Sequence, residues 1–149
     1  MTEPTFDDLS DFDYWSEHMD ASMRDYVQAR VNPEMLLGFM QLMRPETEIY
    51  EGRVYWADGF TSKNLAEWKE SETFRRGGIA AVQALVNHIH VADFFYGLRM
   101  RDELTVENWC FVAEAMGPAW MGYVEAKYPD RRFRLKVEGT EFTIWEPDE

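Results

Sequence analysis

Residues 77–96 read G-G-I-A-A-V-Q-A-L-V-N-H-I-H-V-A-D-F-F-Y, the least polar stretch of the chain and the place of two of its three histidines, His88 and His90. Ile79, Val82, Leu85 or Val86, and Ile89 recur with the period of a helix face. Ala80, Ala81, Ala84 and Leu85 are strong helix formers, so a buried central helix is expected, carried through His90. For residues 87–95 a buried strand is the alternative, because a short apolar run has no decisive period. The flanking helices and the C-terminal strands should pack on this stretch. Its internal Gln83, Asn87, His88, His90 and Asp93 mark it as a core element and not a membrane span.

Upstream, Arg75-Arg76-Gly77-Gly78 reads as a break. Before it, Thr61 or Ser62 should cap a short helix near residues 63–70, with Leu65 and Trp68 facing inward. Residues 47–57, T-E-I-Y-E-G-R-V-Y-W-A, are β-branched and aromatic. They predict a strand, or a hairpin if Glu51-Gly52 turns. Downstream, Asp102 or Thr105 should start a last helix whose apolar stripe runs from Val106 through Trp109, Cys110, Ala113, Met116, Trp120 and Val124 to Tyr128. The stripe passes straight through Gly117-Pro118, which predicts one helix kinked at the proline. A two-residue turn at Gly139-Thr140 then makes a hairpin pairing Val137 with Phe142, Leu135 with Ile144 and Arg134 with Trp145. It also sets Glu138 opposite Glu141, a like-charge pair in tension.

The N-terminal 25 residues hold Glu3, Asp7, Asp8, Asp11, Asp13, Glu17, Asp20 and Asp25 against Arg24 alone. Phe12, Trp15, Met19, Met23 and Tyr26 form one stripe of an amphipathic helix expected over residues 11–30. Asn32-Pro33 opens a second helix to Met43, so short a link predicting a helical hairpin. The elements add up to an α+β fold of about five helices packed on a small antiparallel sheet. A single domain over residues 1–149 is expected, with residues 1–10 a flexible acidic arm.

Composition narrows function. The chain of 149 residues has 28 acids against 15 bases, a formal charge of −13, and 15% aromatic residues. That field opposes binding to nucleic-acid phosphates or anionic lipid and suits a partner with a basic surface. One cysteine, Cys110, excludes an internal disulfide or Cys-rich zinc site and fits a cytoplasmic protein. The acidic N-terminus has no secretory pattern. No Walker sequence, dinucleotide fingerprint or nucleophile elbow occurs.

The leading expectation is a non-enzymatic interaction protein (an inhibitor, an immunity-type protein or an accessory subunit). It would engage its partner through Asp7, Asp8, Asp11, Asp13 and Glu17 of the acidic N-terminal helix, with no cofactor. The alternative places a ligand or metal pocket, or a hydrolase site, at His88 and His90. On a helix, side chains at i and i+2 diverge by about 200°; on a strand they share a face. If the segment is extended, His88, His90 and a carboxylate, Asp93 being closest in sequence, suit zinc. Asn87, His88, His90 and Asp93 would otherwise form a polar network lining a pocket, and Trp109 and Trp120 an apolar one under the last helix.

Overall fold

A computed structural model of the chain describes residues 22–58, 62–95 and 105–148. The chain divides into two compact units, Met1–Leu42 and Met43–Glu149. In the first, α1 (Met23–Arg30) starts at an extended Ser22, whose hydroxyl accepts from the Asp25 amide while Asp25 caps Ser22 in return. The expected unbroken helix from residue 11 therefore does not hold: extended backbone at Ser22 interrupts it. A reciprocal capping box starts α1 there. These bonds hold the Asp25 carboxyl below its ordinary range. Val31-Asn32 leads into α2 (Pro33–Leu42), with Asn32 Oδ1 accepting from the Glu34 amide at 2.8 Å.

Among its described residues the second unit has two small antiparallel sheets and three α-helices, and the chain is of the α+β class. Strands β1 (Thr47–Tyr50) and β2 (Arg53–Trp56) form a hairpin about Glu51-Gly52, both with positive φ, the conformation of a tight two-residue turn. Helix α3 (Ser62–Lys69) buries Leu65. Trp68, expected to face inward as well, is 40% exposed. It sits one residue before the end of a helix of only two turns, too short to bury two large side chains.

Helix α4 (Glu72–Val86) is capped by Ser71 and bent where expected: Gly78 has φ 65° and ψ −161°, a backbone that a side chain resists. Arg75 and Arg76 on the first segment pair with Glu72. The second segment buries Ala80, Val82 and Gln83, with Val82 joining Tyr55 and Leu65 in one apolar cluster.

Helix α4 ends at Val86, and the expectation that it runs through His90 fails. Asn87 is its C-cap, and the chain turns out into β3 (His88–His90), followed by a 3-10 helix (Val91–Phe95). Helix propensity favoured continuation, but the Asn87 side chain is committed to backbone groups of two other strands, and Ile89 pairs with Phe142. Tertiary pairing overrides local preference here.

Helix α5 (Val106–Lys127) starts from a Thr105–Asn108 capping box and carries Pro118 in its interior. It buries Trp109, Ala113, Met116, Gly117, Trp120 and Val124. Strands β4 (Arg134–Glu138) and β5 (Glu141–Trp145) pair in the register expected from the sequence, Leu135 with Ile144 and Val137 with Phe142. Strand β5 lies at the centre of the order β3-β5-β4. Its inner face, Phe142 and Ile144, meets α5 at Gly117, where a Cβ would come within 3.1 Å of Val137 Cγ2 and 3.2 Å of Leu135 Cδ1. Trp120 packs edge-on against Trp56 and Phe142, at centroid separations of 5.0 and 5.2 Å. Among the described residues no helix is long and apolar enough to cross a membrane.

Candidate metal centre

Alternation along a strand turns every second side chain to the same face. In β3 this puts His88 and His90 together on the outer face, away from the Phe142–Ile144 core. The register sets His88 opposite Thr143 and His90 opposite Glu141 on β5. The two imidazoles meet edge to face at 4.7 Å between centroids.

Glu141 reaches both rings. Its Oε2 lies 3.1 Å from His88 Nε2 and its Oε1 lies 2.9 Å from His90 Nδ1. The other nitrogen of His88, Nδ1, is 2.8 Å from the Thr143 hydroxyl. One consistent arrangement of protons has the Thr143 hydroxyl donating to His88 Nδ1, while His88 Nε2–H and His90 Nδ1–H donate to the carboxylate. The like-charge tension at the hairpin disappears in the same geometry. Glu141 turns to the histidines, and Glu138 pairs with Lys136 on its own strand, which holds the Glu138 carboxyl below its ordinary range.

One ligand atom from each of His88, His90 and Glu141 lies within 4.8 Å of the other two, close enough to surround a single ion. Two imidazoles and a carboxylate are a donor set suited to zinc and other first-row divalent metals. With an ion on Nε2 the His88 tautomer would reverse, Nδ1–H donating to the Thr143 hydroxyl, the kind of outer hydrogen bond that fixes a ligating imidazole's orientation. All three ligands rise from one sheet face, so the coordination positions on the far side are open. His90 and part of His88 and Glu141 are accessible to solvent.

Of the residues singled out from sequence, His88 and His90 come together here. Asp93 does not join them: it lies exposed on the 3-10 helix, and the carboxylate within reach is Glu141. Sequence reasoning missed Glu141 as a ligand, although its like-charge confrontation with Glu138 signalled that it needed another partner. Asn87 is buried, and its side chain serves backbone. Its Oδ1 accepts from the Trp56 amide at 3.2 Å, and its Nδ2 donates to Val54 O at 2.9 Å and Ile144 O at 3.1 Å. Trp109 and Trp120 are buried on α5. Asp7, Asp8, Asp11, Asp13 and Glu17 lie outside the described residues.

A second polar assembly sits just past the other end of β5, around Glu146. Glu146 Oε2 accepts from the Val54 amide at 2.9 Å and from Gln83 Nε2 at 3.0 Å, while its Oε1 accepts from Arg131 at 2.6 Å. Arg53 donates to Gln83 Oε1 at 2.9 Å and to the Glu146 carbonyl at 2.6 Å, and pairs with Asp148. Every one of these charges is matched within the assembly, the condition under which such groups tolerate burial. It fastens residues 146–148, just past the end of β5, to β2 and α4. Compared with known proteins, the chain matches no family model, no curated protein and no solved structure.

Proposed function

We propose that the protein binds one divalent transition-metal ion of the zinc type through His88 Nε2, His90 Nδ1 and a Glu141 carboxylate oxygen. The observation that carries this reading is the convergence of those three atoms on one sheet face within 4.8 Å of one another. Support comes from Thr143 on the second nitrogen of His88, which orients the ring for ligation. Three protein ligands with an open side is the pattern of a working site more than of a closed structural one, so the ion there can take up water or a substrate.

The test is zinc and cobalt titration of the purified chain by calorimetry, with metal content measured after dialysis. One equivalent should bind, and the melting temperature should rise with free metal as mass action requires. His90→Ala and Glu141→Gln should each weaken binding by about tenfold or more while leaving the fold intact. Replacement of the third histidine, His18→Ala, which lies outside the described residues, should leave it unchanged. Stoichiometry below one, or equal binding by the three variants, would refute the site.

A second reading, binding of a protein partner with a basic surface, has the formal charge of −13 for the basic partner and the exposed apolar side chains of α2, Met35 at 71% and Leu37 at 70%, for a protein contact. Association should then be fast and salt-sensitive. Charge reversal at Asp7, Asp8, Asp11 and Asp13 that left the association rate unchanged would refute it.

A further inference from the structure

A cleft of about 340 Å³ lies between α4 and the outer face of the β4–β5 ladder. Ala81, Ala84 and Leu85 form its helical wall, Trp145 and Thr143 line it from β5, and His88 stands at one end. Its volume is in the range of small-molecule sites, and its lining is mostly apolar with a few polar groups, the usual form of such sites.

Two positions of β5 connect this cleft to the metal ligands. Thr143 lines the cleft and Glu141 holds the ion, and side chains two residues apart on a strand are about 7 Å apart. His88 belongs to both places, touching Thr143 through Nδ1 and Glu141 through Nε2. A molecule lying over Thr143 and Trp145 therefore reaches the open side of the ion with an extension long enough to span that ~7 Å. The charges it meets are positive. A divalent ion outweighs the one carboxylate that holds it, and Lys136, opposite Thr143 in the ladder, adds an ammonium group to the lining. The exposed pair that Lys136 makes with Glu138 is of the weak surface kind that a ligand can displace.

Resting on the metal reading above, we propose that this cleft binds a small carboxylic acid with an apolar body of about one aromatic ring. The carboxylate completes the coordination of the ion, and the ring lies against Trp145, Ala84 and Leu85. The ion and Lys136 select the anionic head. The cleft selects the body.

The experiment uses the full chain loaded with cobalt, whose visible absorption reports the coordination sphere. It is titrated with phenylpropionate, with acetate as head alone and with phenylpropanol as body alone, and tryptophan fluorescence is followed in parallel. Phenylpropionate should change the cobalt spectrum and bind about tenfold or more tightly than either control, the margin over acetate reflecting the buried ring and the margin over phenylpropanol the carboxylate on the ion. Ala84→Trp, which fills the cleft without replacing a metal ligand, should keep the cobalt spectrum and lose the preference over acetate. Lys136→Met should weaken phenylpropionate without affecting phenylpropanol. A cobalt spectrum with equal affinity for acetate and phenylpropionate, or a preference that survives Ala84→Trp, overturns the cleft and leaves the metal site standing. Absence of any cobalt spectrum overturns the metal site itself.

Discussion

Replacing Asn87 with aspartate changes one atom type and almost no volume, and the geometry around it predicts a large loss of stability. Asn87 Nδ2 donates to Val54 O at 2.9 Å and to Ile144 O at 3.1 Å, and Oδ1 accepts from the Trp56 amide at 3.2 Å. In Asn87→Ala the Trp56 amide and the Ile144 carbonyl lose this partner inside the core, while Val54 O keeps its bond from Gln83 Nε2 at 2.8 Å. Each buried group left unsatisfied costs about 1–3 kcal/mol, so Asn87→Ala should lose ~2–6 kcal/mol. Asn87→Asp keeps the acceptor but turns a carboxylate oxygen toward two carbonyl oxygens. An ionised group there is repelled and desolvated, and a protonated one restores only one of the two donors. The aspartate should therefore be at least as damaging as alanine, an inversion of what volume alone predicts. Urea unfolding followed by tryptophan fluorescence measures both variants against the wild type, with equal m-values as the check on two-state behaviour. A loss below about 1 kcal/mol for Asn87→Asp would refute the view that these three bonds hold β2 and β5 together.

Two further outcomes concern the packing of the same unit. A Cβ at Gly117 would lie 3.1 Å from Val137 Cγ2, 3.2 Å from Leu135 Cδ1 and 3.3 Å from Phe142 Cβ, so Gly117→Val should overpack the helix–sheet contact and cost about 1–3 kcal/mol. Gly117→Ala should come out near neutral in thermal melting, because a helix-propensity gain of up to ~1 kcal/mol offsets the tight fit; equal melting temperatures for the two variants would contradict this. Burial pushes the Tyr55 phenol from 10.0 up to about 12. In that window the unfolded chain has given up this proton and the native one retains it, so stability is complete below the lower value and falls by about 3 kcal/mol as pH rises through the window. Tyr55→Phe should flatten that limb of a stability-against-pH curve, and an unchanged slope would contradict the assignment.

The C-terminal hairpin was legible to the residue because a two-residue turn and a strict period of two fix register together. The break before Ile79 was legible for a similar reason: two consecutive glycines have few other uses inside an apolar helix. Residues 87–90 were misread because alanine-rich helix propensity extends smoothly into them. The force that ends the helix there, the bonding of Asn87 to β2 and β5, comes from distant chain. His88 and His90 could be named from sequence, and so could the condition under which they converge. Glu141 could not be assigned to them, because nothing in the order of residues says that β3 adds to the β5 side of the hairpin and not to the β4 side. Ser22 shows the same limit on a smaller scale, an apolar stripe persisting across a position where capping bonds start α1.

Strand β2 has one further consequence. The Ala57 amide bonds back to Glu46 at 2.9 Å, so by alternation the amides of Val54 and Trp56 point away from β1. Such an edge ordinarily invites another chain to add a strand. Here Glu146 takes the Val54 amide, Asn87 the Trp56 amide, and Gln83 and Asn87 the Val54 carbonyl. Three side chains from separate parts of the chain occupy three of the hydrogen-bonding positions of a missing neighbour, so an incoming strand finds the Val54 amide, the Val54 carbonyl and the Trp56 amide already taken. The polar core thus guards against self-association as well as holding the fold. A chain loosened at Asn87 would open a β edge flanked by buried Tyr55 and Trp56, and its failure would appear as aggregation before unfolding is complete.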